Sequence, residues 1–181
     1  MPRPPYTAAM EVVTVAGFLD YYRRVREATR RVVAVIPEAA LDWTYKPGKF
    51  TTGDLVRHIA AIERFVFAEA ALGRPIRYGG CGKELGADLP AVLGFFDRCH
   101  GETLAMLGSL TDGDLQRRVP NAAGRDMELG KLLRALPVHE IHHRGALCIY
   151  LNLFGVDTPP VLGLTAEQLL VRSAGGRSER S

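Results

Sequence analysis

Leu132, Leu136, His139, His143, Leu147, Tyr150 and Phe154 recur at intervals of three and four residues, which is the period of one face of an α-helix and not of a strand. Gly155 follows where a helix C-cap prefers glycine. Pro137 interrupts the run and predicts a kink, or a fresh start, one turn before the first histidine. Residues four apart on a helix have Cβ atoms roughly 5–6 Å apart. The two imidazoles can therefore reach one metal ion at about 2.0–2.1 Å.

Three further segments carry the same period. Phe18, Tyr22, Val25, Thr29, Val32 and Ile36 line one helix, which Pro37 closes. Thr51-Thr-Gly-Asp54 is a capping-box pattern opening a second, with Leu55, Ile59, Ile62 and Val66 inward and an end expected by Gly73. Gly79, Gly80, Gly82 and Gly86 break residues 74–87 into a loop able to cover a site. The third helix starts at Asp88, tolerates Pro90 in its first turn, turns Val92, Phe96, Leu104 and Leu107 inward, and is over by Thr111-Asp-Gly113. Only residues 116–120 read as strand. Four helices joined by long loops, in 181 residues of which 47% are hydrophobic, predict an all-α four-helix bundle, one domain over residues 1–173. Residues 174–181 offer nothing to bury and are expected to be disordered.

No apolar run approaches the ~18 residues a membrane span needs, and the start, Met1-Pro-Arg-Pro-Pro-Tyr6, lacks a secretory apolar stretch. The expectation is a cytoplasmic protein without a membrane partner. A net charge of +3 is small for a nucleic-acid binder, and Arg23, Arg24, Arg26, Arg30 and Arg31 read as a solvated helix face. Cys81, Cys99 and Cys148, odd in number and widely spaced, read as reduced thiols and not as a zinc or disulfide framework.

His139-Glu140-Ile-His-His143 formally matches the metalloprotease pattern in which two histidines bind zinc and the glutamate activates water. The extended form requires glycine and histidine where this chain has Ala146 and Ile149. A downstream acidic ligand is conceivable only at Glu167. The better third ligand is upstream: His58 lies three residues after Leu55 and four before Ile62, on the inner face of the second helix. Inward ligands from facing helices are how bundles build metal sites, and three protein ligands leave a position open for water or substrate.

At these residues the chain resembles the DinB-like (DinB/YfiT-like) family of metalloenzymes. The stretch from Leu41-Asp-Trp43 through Lys46-Pro-Gly-Lys-Phe-Thr-Thr-Gly-Asp-Leu-Val-Arg-His58 to Phe65 is similar to that family's tryptophan-containing connector and second-helix histidine. His139-Glu-Ile-His-His143-Arg144-Gly145 is similar to its fourth-helix signature, and the resemblance covers roughly residues 14–170. It implies a four-helix bundle in which His58, His139 and His143 are the facial ligands of a divalent metal, zinc or nickel, and His142 is not a ligand. It implies a metal-dependent enzyme, a thiol-dependent S-transferase or isomerase using a low-molecular-weight thiol, or a hydrolase, and a homodimer. The other reading is a non-catalytic bundle stapled by its metal, or a dimerisation module of a stress response. Ala146 departs from the glutamine that many members carry after His-Arg-Gly.

The remaining polar residues have plainer readings. Glu63 and Glu140 project around their helices away from the neighbouring histidines, which predicts solvated or salt-bridged roles. Arg144 is expected to cap carbonyls or pair at an interface, His100 to be structural, and Cys81 to be a thiol without an activating neighbour.

Overall fold

The structure, a computed structural model, describes residues 12–161 and 163–178. Thr14 caps α1 (Val15–Val33) by accepting from the Gly17 N–H. The capping box at α2 (Thr52–Ile62) forms in full: the Asp54 N–H donates to Thr51 Oγ1 at 3.0 Å and the Thr51 N–H to Asp54 Oδ2 at 2.9 Å. α2 runs on through a π-helical turn, Glu63–Phe67, into the short α3 (Ala68–Ala71), and Gly73 follows in the left-handed region at φ +69°. Asp88 caps α4 (Leu89–Leu107). α5 (Leu129–Leu153) continues unbroken through Pro137, and Gly155, at φ +87°, ends it as its position predicts.

α1 and α2 each pack against both α4 and α5, so the four long helices form the expected bundle. Two elements depart from the sequence reading. The strand in the 116–120 region is β1 (Arg118–Pro120), shorter than anticipated, and it pairs antiparallel with β2 (Asp126–Glu128), with Val119 opposite Met127. α6 (Ala166–Ser178) extends past residue 173 into the stretch read as disordered; residues 179–181 and 1–11 lie outside the described residues. Leu169, Leu170 and Val171 on α6 are exposed.

The apolar core falls into two clusters. One gathers Val32, Ile36, Leu55, Ile59, Phe96, Leu147 and Leu151, and the other Phe18, Tyr22, Ala70, Leu107, Leu129, Leu133 and Leu136. At the level between them the helices turn polar side chains inward: Arg26 and Thr29 from α1, Glu63 from the π-turn, Thr103 from α4, Glu140 and Arg144 from α5, all buried. Two sites occupy this polar waist. Its interior holds an ion cluster and its rim holds the histidines.

Candidate metal centre

His58 stands on α2 and His139 and His143 one turn apart on α5, and the packing of these helices brings the three together. One ligand atom from each lies within 4.8 Å of the others. His58 Nε2 and His139 Nε2 are 3.2 Å apart, and the ring centroids of His143 lie 4.6 Å from His58 and 4.5 Å from His139. Two nitrogens bound at about 2.0–2.1 Å to a tetrahedral ion stand roughly 3.3 Å apart, so the spacing suits a shared cation. A hydrogen bond between His58 and His139 would account for one contact and leave His143 out of it. No other set of three histidine, cysteine or acidic side chains converges in this way among the described residues.

The electrostatics also suit a cation. Burial lowers the pKa of His58. Burial, then the neighbouring His143 and His58, pushes His139 down to about 3, and burial, then His58 and His142, pushes His143 down to about 4. All three rings are thus neutral near pH 7, each with a lone pair to offer.

The glycine-rich loop does cover the site. His58 Nδ1 is paired with the Tyr78 hydroxyl at 2.9 Å, and the Phe50 ring lies 5.1 Å from the His58 ring. Burial, then the hydrogen bond with Cys81, pushes the Tyr78 phenol up to about 12. Burial also raises the Cys81 thiol, so it is no ready thiolate. Arg57, fully buried in α2, clamps the loop: its Nε donates to the Gly86 carbonyl at 2.9 Å, and its Nη1 to Asp54 Oδ1 at 2.8 Å and the Cys81 carbonyl at 3.4 Å. Gly86 sits at φ +147°, and a Cβ there would come within 2.8 Å of the Val92 nitrogen, so only glycine lets the loop close on α4. The sequence carried no sign of Arg57's role beyond an arginine beside a stripe.

The carboxylates go elsewhere. Glu63 and Glu140 are buried, not solvated, in a cluster with Arg26. Arg26 pairs with Glu63 Oε2 and lies 3.2 Å from Glu140 Oε2; the Tyr22 hydroxyl donates to Glu140 Oε2 at 2.9 Å; His100 Nδ1 meets Glu63 Oε1 at 2.8 Å. The solvated arginine face expected on α1 is corrected at Arg26, which is drawn inward because both carboxylates face it. Burial opposes its charge, yet Glu63, then Tyr22 and Glu140, hold its pKa above the ordinary value. Arg144 Nη1 donates to the Val25 carbonyl at 3.2 Å and lies 3.4 Å from Thr29 Oγ1, the carbonyl-capping role expected of it. His142 is exposed, and Glu167 on α6 is exposed and apart from the cluster.

A cavity of about 400 Å³ opens beside His139, walled by Val66 and Phe67 of the π-turn, Met127 of β2, and Leu132 and Ala135 of α5. A smaller one, about 240 Å³ and lined by Asp112, Glu128, Lys131 and Arg134, involves none of the three histidines.

The DinB superfamily model matches residues 21–147, a span containing all three histidines. The chain belongs to the DinB superfamily. Its fold is that of solved DinB relatives. A DinB-like protein from Bacillus cereus ATCC 10987 superposes with a TM-score of 0.71 at 20% identity, over 82% of this chain and 97% of that one. YfiT from Bacillus subtilis, described as a probable metal-dependent hydrolase with an unusual four-helix bundle topology, gives 0.65 at 18% identity over 87% and 95%. A mycothiol-dependent maleylpyruvate isomerase gives 0.60 at 15% identity over 74% and 60%. No curated protein matches the chain. Among its described residues this DinB chain has no helix long and apolar enough to cross a membrane.

Proposed function

We propose that this DinB protein is a divalent-metal-dependent enzyme in which His58, His139 and His143 hold zinc or nickel and leave a position open to a substrate. The observation that carries the reading is the convergence of three neutral imidazoles, with no carboxylate or thiol among the converging groups. A cation held there supplies a Lewis acid that lowers the pKa of a thiol or water in the open position. With Nε2 of His58 as donor, its Nδ1 carries the proton and donates it to Tyr78 Oη, which fixes the ring's tautomer and orientation. Phe50 and Phe67 flank the rings, with centroids 5.1 Å from His58 and 6.1 Å from His139 respectively.

Glu140 is withdrawn into the ion cluster, so the general base of the H-E-x-x-H protease mechanism is absent from the site. That favours a nucleophile needing no protein base. A thiol, with a free pKa of about 8.5 against about 15.7 for water, needs the smaller shift. The preferred reaction is therefore thiol-dependent group transfer or isomerisation with a low-molecular-weight thiol, and hydrolysis comes second. We also propose a homodimer through the outer face of α5, where Val138, Ile149 and Leu153 are 61–63% exposed; sedimentation as a monomer at micromolar concentration would overturn that.

The test is elemental analysis of untagged protein purified without added metal, beside His58→Ala and His143→Ala. About one equivalent in the wild type, lost in both variants, is the expected result. Wild-type protein that neither carries nor takes up zinc or nickel would end the metal-dependent reading.

A further inference from the structure

We infer that the cavity beside His139 seats an uncharged, apolar arm of the substrate, alkyl or aryl, whose reacting end lies at the three histidines. The inference rests on the metal-dependent reading of those histidines and adds to it the chemical class of the substrate.

The walls decide the chemistry. No charged side chain lines the cavity, and the polar residues among its lining are Asn121 and His139 itself. Asn121 Oδ1 is already committed, accepting from the Ala123 N–H at 2.9 Å and the Arg125 N–H at 3.0 Å in the turn that joins β1 to β2. A carboxylate, phosphate or ammonium group entering here would lose its water and find no partner of opposite charge. An alkyl chain or aromatic ring would gain by burial against Val66, Phe67, Met127, Leu132 and Ala135.

Size and placement point the same way. About 400 Å³ lies within the range of small-molecule sites. The space is held open by two features that depart from plain bundle packing. Val66 and Phe67 come from the π-turn, whose extra residue widens the helix as such turns often do at functional sites. The other wall is the β1–β2 hairpin, which brings Asn121, Ala122, Ala123 and Met127 against the bundle. With His139 in its lining, the cavity is positioned to take the remainder of a molecule bound at the histidines, whereas the charged cavity at Asp112 and Arg134 has no such neighbour.

The experiment titrates cobalt-loaded protein with acetate, propionate, butanoate and hexanoate, and with adipate, which matches hexanoate in length but is charged at both ends. The readout is the change in the cobalt absorption. Affinity should rise by up to about fourfold for each methylene that enters the cavity, and adipate should bind at least tenfold more weakly than hexanoate. Ala135→Phe, whose ring takes up part of the cavity, should bind cobalt and acetate as before and flatten the chain-length dependence; Met127→Glu, which charges the wall, should do the same and serves if Ala135→Phe does not fold. Equal affinity for all the acids, equal affinity for hexanoate and adipate, or an unchanged dependence in the variants would overturn the inference while leaving the metal site standing. Failure to bind cobalt at all would instead remove the metal-dependent reading, and this inference with it.

Discussion

His139 and Glu140 are consecutive on α5, yet they serve two polar sites governed by opposite physics. Glu140 turns into the waist, where Arg26, Glu63, Tyr22 and His100 form a sealed ionic cluster. His139 turns to the rim, where three half-buried neutral rings face a loop and a cavity. In the interior, Arg26 keeps its charge against burial because Glu63 and Glu140 lie against it. At the rim, charge is refused because burial and like neighbours disfavour the imidazolium. The waist thereby keeps carboxylates away from the histidines and leaves them free for an external cation.

The largest difference between the two sites is expected at Arg26. Removing it leaves two carboxylates buried without their counter-charge, which typically costs about 3–5 kcal/mol. Arg26→Met should lose that much in urea unfolding of the metal-free protein. Arg26→Met combined with Glu63→Leu and Glu140→Leu should recover most of it, because buried ion clusters pay heavily in desolvation. Arg26 Nε and Nη1 and Glu140 Oε1 already lack hydrogen-bond partners among the described residues. If the single variant is as stable as the wild type, the cluster is not the sealed unit described.

Acid should separate the two sites. The folded-state pKa values of His58, His139 and His143 lie below the ordinary imidazole value, so the unfolded chain binds protons that the folded chain refuses. Their contribution to stability is complete above about pH 6.5. It declines as pH falls and is gone near 3, the value to which His139 is pushed. Arg26 stays charged throughout that range. Urea midpoints of the metal-free protein should therefore fall between pH 7 and 4 more steeply for the wild type than for His139→Asn. Parallel profiles would mean that the rings titrate as in free solution. In the metal-loaded protein the same protons compete with the cation, and metal release should follow the same direction.

How much of this the sequence disclosed depends on the range over which each feature is determined. The helix stripes, the Thr51–Asp54 capping box and the Gly155 stop are local, and the three histidines could be brought together by phase alone because each sits on a stripe. The ion cluster could not. Arg26 neighbours Val25 on α1 and reads as one more surface arginine until Glu63, 37 residues away, faces it. Tyr22 and Glu140 are separated by 118 residues. In retrospect the available signal was that Arg26, Glu63 and Glu140 each adjoin an inward-facing position. The π-turn was hidden for another reason: it inserts one residue per turn without any change of composition, and Leu55, Ile59, Ile62 and Val66 keep an ordinary helical spacing across its start. β2 spans three residues with one apolar side chain, too short for an alternating pattern to register.

The finest test of the comparison is at Tyr78. At the rim, His58 Nδ1 is held by a single neutral hydrogen bond, whereas Tyr22, Arg26, Glu63 and Glu140 in the interior each meet two or more partners. Tyr78→Phe keeps the ring that packs edge-on against His58, 5.8 Å away between centroids, and removes only the oxygen. Losing such an outer partner ordinarily costs about 10–100-fold in metal affinity. A neutral phenol on an exposed loop belongs at the lower limit, so zinc or cobalt should bind about tenfold more weakly, roughly 1.4 kcal/mol, with unfolding of the metal-free protein unchanged. An equal loss of stability and affinity would mean that Tyr78 holds the loop and not the ring. An unchanged affinity would mean that the packing of α2 against α5 alone orients His58, and the rim would then be as firmly built as the interior it is contrasted with.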